Sequence, residues 1–84
     1  MQMQLNTIDI VAHADPAWAG GWLANLTTCG RLVTASRKPF TAAARRLIEE
    51  NFDPNATLSM RYADGKVGPS MPLGEAAKLD QEPA

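Results

Sequence analysis

Cysteine and histidine occur once each, as Cys29 and His13, in a chain of 84 residues. A lone cysteine closes no internal disulfide, so packing alone must hold the fold, and Cys29 beside Gly30 reads as a small turn residue in a reducing cytosol. Aromatic residues are scarce at 6%. Neither sign of charge dominates, with eight basic and nine acidic residues giving a net charge of −1. A field that weak supplies no phosphate-seeking surface, which argues against nucleic acid as the default partner. The opening MQMQLNTIDI lacks the basic start and the apolar block of about 7–15 residues that mark a signal peptide. No run approaches the ~20 apolar residues that span a bilayer. The expectation is a soluble, cytoplasmic chain with no membrane partner.

Catalytic signatures are missing as well. No GxxxxGK[ST] phosphate cradle occurs, Gly20 and Gly21 stand alone, and no Ser or Cys is linked in sequence to a base. His13 shares odd-numbered positions with Asp9 and Asp15, so a carboxylate–imidazole pair or a partial metal site is conceivable there. A zinc site wants three protein ligands of fitting geometry, however, and the Asp-x3-His-x-Asp spacing matches no established one, so a solvated strand end is the simpler reading. No cofactor is expected, and the chain reads as a non-enzyme.

What is present is a shape. Apolar residues at 45% and charged residues at 20% are ordinary globular values, and the length allows one small domain. Residues 39–54 specify an amphipathic helix with both ends marked. Phe40, Ala43, Ala44, Leu47 and Ile48 recur at the i, i+3, i+4, i+7, i+8 spacing of one apolar stripe. Pro39 fits the first turn, where its missing N–H has no helical partner to lose. Asn51 can take the left-handed conformation that ends a helix, Phe52 can fold back onto Leu47 or Ile48, and Asp53-Pro54 stops continuation.

Around that rod, period-two alternation predicts strands. One covers residues 5–12. A hairpin follows over 22–36; with Cys29 and Gly30 as its turn residues, Leu26 would face Val33 and Ala24 would face Ala35. A second hairpin has Leu58, Met60 and Tyr62 on one face, Ser59 and Arg61 on the other, and turns at Asp64-Gly65. Its return arm, residues 66–68, ends at Pro69 and suits an edge strand. A short helix over 73–79 and a frayed end at 80–84 complete the chain. The fold class is α+β: an antiparallel sheet of four to five strands covered on one face by one main helix.

Surfaces are the remaining candidates for function. Arg31, Arg37, Lys38, Arg45 and Arg46 make the one local basic bias, a possible nucleic-acid contact. Glu49 and Glu50 lie one turn from Arg45 and Arg46, so i,i+4 pairs on a solvated helix face account for part of it. Trp22 reads as core, whereas Trp18, in a loop after Pro16, is a candidate interface anchor. The protein-binding candidates are therefore Trp18, Arg45, Arg46, Glu49, Glu50 and Arg61. The sheet edge after Asp64-Gly65 offers a route to a homodimer.

Over residues 32–79, the string LVTASRKPFTAAARRLIEENFDPNATLSMRY followed by GEAAKL resembles short proteins of bacteriophages and prophages. In these a Ser-Arg-x-Pro segment precedes an Ala-Ala-Arg helix and an Asp-Pro turn. Ser36, Arg37, Pro39, Ala43, Ala44, Arg45, Asp53, Pro54, Met60 and Arg61 are the matching positions; they are structural and bring no catalytic role. By analogy with small phage inhibitors of host machinery, anti-CRISPR proteins among them, the resemblance implies occupation of a host protein's surface rather than turnover of a substrate.

Overall fold

The computed structural model describes residues 7–79. In chain order these form β1 (Thr7–Ala14), β2 (Trp22–Leu26), β3 (Leu32–Ser36), α1 (Pro39–Glu49), β4 (Thr57–Tyr62), β5 (Val67–Pro72) and α2 (Leu73–Ala76). The strands make one five-stranded sheet in the order β3-β2-β1-β4-β5. The fold is α+β, with both helices packed on one face. Strand one runs further than the expected 5–12, to Ala14; residues 5 and 6 of that expectation, and the end expected to fray at 80–84, lie outside the described residues.

The sheet is mixed rather than purely antiparallel: β1 pairs antiparallel with β2 but parallel with β4. Two hairpin reversals make β3 run in the same direction as β1. Helix α1 then carries the chain back across the sheet to its starting end, so β4 must enter parallel to β1. A tight turn cannot make that connection; an 11-residue helix can.

Helix α1 forms as its pattern dictates. Pro39 opens it, and the Lys38 N–H donates to Ser36 Oγ at 3.0 Å. Phe40, Ala43, Ala44 and Leu47 are fully buried against Ile10, Ala12, Ala24, Leu58 and Met60 of the sheet, with Ile48 half-buried at the margin. Burying each of Phe40 and Leu47 contributes about 1.5–3 kcal/mol. At the far end Asn51 has φ 72°. Its N–H donates to the Ile48 carbonyl at 2.9 Å and the Phe52 N–H to the Leu47 carbonyl at 3.0 Å. This is the paired closure of a left-handed helix cap, and Phe52 packs on the core as such caps require.

The first hairpin departs from the expected register. Its loop is longer than two residues: the Leu26 N–H donates to the Arg31 carbonyl at 2.9 Å and the Gly30 N–H to the Leu26 carbonyl at 2.8 Å, with Gly30 at φ 75°. Ala24 therefore faces Thr34, not Ala35, which faces Leu23 instead. A bulge takes up Val33, whose side chain turns into the core. The cause lies in a third strand. Thr27 gives both its N–H and its hydroxyl to the Asp9 carbonyl, at 3.0 and 3.2 Å, and so is drawn toward β1 and out of the β2–β3 ladder.

The second hairpin turns at Asp64-Gly65 as expected, with Gly65 at φ 95° and the Tyr62 N–H donating to the Lys66 carbonyl at 2.9 Å. Its return arm passes Pro69 and reaches Pro72, longer than expected. A bulge between the partners of Ser59 and Arg61 absorbs Gly68 and Pro69. A Cβ on Gly68 would lie 2.8 Å from the Met60 carbonyl oxygen, so glycine lets the strand continue there. Helix α2 is shorter than the predicted 73–79. Beyond Ala76 the chain tightens into three-residue bonds, Lys78 N–H to Glu75 and Leu79 N–H to Ala76. Leu73 and Ala76 are fully buried, and Ala77 and Leu79 still pack on the core.

Candidate functional surfaces

Trp18 sits in a loop tied at its base by the Asp15 N–H to the Gly21 carbonyl at 3.0 Å, and inside by the Gly21 N–H to the Trp18 carbonyl at 2.9 Å. Asp15 Oδ1 accepts the Ala17 N–H at 2.8 Å. The indole folds over Gly21, where an added Cβ would fall 2.4 Å from Cε3. The Arg37 guanidinium carbon lies 5.5 Å from the ring centroid, a cation–π contact. The residue remains 40% exposed. Trp18 is thus half committed to its own loop and half presented to solvent.

Trp22, expected in the core, is half-buried at its margin. It meets Tyr62 edge-on, with ring centroids 5.3 Å apart and planes at 64°. Trp22 lies opposite Ala14, and Tyr62 opposite Ala12, on the two sides of β1. Only the small side chains between them let the rings of β2 and β4 touch. Together with His13, Asp64 and Lys66 they border a groove of about 410 Å³. Sequence reasoning missed this groove; the alternate alanines of β1 were its one visible trace.

His13 and Asp9 share the sheet face away from the helices, but Asp15 lies past the end of β1, in the Trp18 loop. The His13 Nε2–H donates to Asn25 Oδ1 at 2.9 Å, while Asn25 Nδ2 donates to the Gly30 carbonyl at 3.0 Å. The histidine thus braces the first hairpin. Among the described residues no three of His, Cys, Asp and Glu converge to hold a metal ion. Cys29 is exposed in the hairpin loop.

The basic residues divide between several tasks. Arg31 forks onto Glu50, Nη2 to Oε1 at 2.6 Å and Nη1 to Oε2 at 3.3 Å, joining the hairpin loop to the end of α1. Arg46 adds its Nε to Glu50 Oε2 at 3.1 Å, with Glu49 3.9 Å from its Nη1. The hydrogen bond from Arg31 holds the Glu50 carboxyl below its ordinary value, and the same bond raises the Arg31 guanidinium. Arg45 makes no pair of the expected i,i+4 kind in these contacts; its Nε donates to the Ala77 carbonyl at 2.8 Å and pins α2 to α1.

Three of the basic candidates line a groove of about 310 Å³ on the helix side of the sheet, at its β3 margin. Thr34 and Ser36 of β3 form one wall; Arg45, Arg46 and Glu49 of α1 form the other, with Lys38 at the margin. Arg61 stands apart on the open sheet face, opposite Val11 and Val67. With Asp9, Thr27 and Ser59 it borders a shallow depression of about 240 Å³. The structure therefore separates the predicted protein-binding residues into the Trp18 loop, the α1 groove and the open face. Among the described residues no helix is long and apolar enough to cross a membrane. No family model, no curated protein and no solved structure gives a significant match to this chain.

Proposed function

We propose that this chain is a non-enzymatic binding module that acts by occupying the surface of another protein, as an inhibitor or adaptor of a host protein. The observation that carries this reading is the face of the sheet that no helix covers among the described residues. Both helices pack on the opposite side, so Val11, Leu23, Leu32 and Val67 share an outward face with Asp9 and Arg61. Leu32 is 51% exposed and Val67 83% exposed. Apolar groups interrupted by a few charges, one of them arginine, are the make-up of a protein-docking surface. The resemblance to phage proteins over residues 32–79 supports a setting in a phage or mobile element.

The basic groove beside α1 favours a second reading, contact with a nucleic-acid backbone through Arg31, Arg37, Lys38, Arg45 and Arg46. Two observations count against it. Glu50 already neutralises Arg31 and is shared with Arg46. Arg45 in turn gives its Nε to the Ala77 carbonyl, and the net charge of −1 leaves only a weak field to attract a phosphate backbone.

Capture from nuclease-treated host lysate tests the proposal. The immobilised chain should retain a specific protein, and Arg61→Glu, an exposed change outside the core, should lose it while the melting temperature stays unchanged. Capture of no protein from the treated lysate, with nucleic acid retained from an untreated one and lost steeply as salt rises, would contradict the reading.

A further inference from the structure

The two edges of the sheet are unlike. On β5, Pro69 and Pro72 lack N–H groups, and the bulge at Gly68 and Pro69 breaks the regular ladder. That edge, the one expected to pair with a twin, is blunted. The β3 edge is Leu-Val-Thr-Ala-Ser, without proline or glycine, and its one irregularity is the bulge that turns Val33 inward. Among the described residues no strand pairs with its outer side, which can take another.

Beside that edge runs the groove between β3 and α1, and the side chains there carry a sign. Lys38, Arg45 and Arg46 line it with one acid, Glu49, and Arg46 also reaches Glu50 outside the groove. A guanidinium has five N–H donors. The contacts described for Arg45 engage one of them, at Ala77, while Arg46 gives Nε to Glu50 and holds Nη1 3.9 Å from Glu49. Carboxylates entering the groove would find donors in the planar arrangement that suits them.

We infer that the β3 edge binds an extended acidic segment of a partner protein, which adds as a sixth strand and places alternate carboxylates in the groove against Arg45 and Arg46. This deepens the binding-module reading and rests on it. Main-chain hydrogen bonds to β3 hold the segment, and alternate side chains of the added strand supply the specificity. A second copy of this chain fits poorly. Antiparallel pairing of β3 with its twin sets Arg31 of each copy near Arg37 and Lys38 of the other, and like charges opposed across strands destabilise.

An amide-resolved NMR titration of the full chain tests the inference, using an acetylated, amidated synthetic nonapeptide that alternates Glu with Val and Thr. Shifts should centre on Leu32–Ser36 and the side chain of Arg45. The same peptide with alternate amides N-methylated should bind at least about tenfold more weakly, because it loses ladder hydrogen bonds. Lys in place of Glu should abolish binding, and Arg45→Gln should weaken it. The inference is overturned if no peptide binds, if the N-methylated or Lys peptide binds equally well, or if shifts map to β5 or to the face around Arg61. It also falls if a single-stranded oligonucleotide binds the groove more tightly than the peptide, or if the free chain is a dimer paired through β3. Protein capture that depends on Arg61 alongside any of these results would leave the broader reading standing.

Discussion

Glu50 does the most at the scale of one residue. It receives Arg31 from the hairpin loop and Arg46 from its own helix, and so fastens β3's entry to the C-terminal turn of α1. Because the folded carboxyl is held below its ordinary value of 4.5, its contribution to stability is complete above that value. It is lost as pH falls through the lower, folded value. Thermal melts should therefore show wild type above Glu50→Gln at about pH 7, with the gap closing as the solution is acidified below 4.5. A gap that persists in acid would mean that something other than ionisation sets it. Added salt should narrow the neutral-pH gap, since these groups are in contact with solvent. The neighbouring Asn51 cap was legible in the sequence because its cause is local, a left-handed residue followed by an apolar one. The Arg31–Glu50 fork was not: it joins residues 19 apart and depends on a loop length that no short-range pattern reveals.

Among the elements, α1 carries the core. Leu47 is fully buried in the core that α1 shares with the sheet, so Leu47→Ala should cost about 2–5 kcal/mol, read from denaturant unfolding. That is a large share of the roughly 5–15 kcal/mol a domain possesses. An unchanged midpoint would remove α1 from the core. The helix was legible because its 3.6-residue period and both stop signals lie within its own span. The strand registers were legible only in part. Period two locates β2 and β3 and names their apolar positions, but the one-residue slip at Val33 follows from Thr27 binding to Asp9, an event on a different strand. Likewise Pro69 ends a strand by local rules, yet β5 passes it because the edge position needs no donor there and Gly68 fits against Met60.

For the whole molecule, the decisive feature is the parallel pairing of β1 with β4. Alternation reads the same in parallel and antiparallel strands, so the pattern alone does not reveal it; a helix between two strands does carry the signal. That pairing makes β1 the centre of the sheet and β3 and β5 its margins. The candidate site inherits its position from this order. The charged residues were visible in the sequence, but their sorting into a helix-side groove, a braced loop and an open face required the topology. Small alanines at positions 12 and 14 bring Trp22 and Tyr62 together in the same way, through a strand that lies between them.

The central claim is that one margin of this sheet, β3, is open in the free chain while the middle is sealed beneath α1. Amide hydrogen exchange of the isolated chain, resolved by residue, tests it most directly. Amides of Ile10, Ala12, Leu58 and Met60 should exchange slowest, and alternate amides within Leu32–Ser36 should exchange orders of magnitude faster. Uniform protection along β3, matching that of β1, would show the edge already covered and contradict the account.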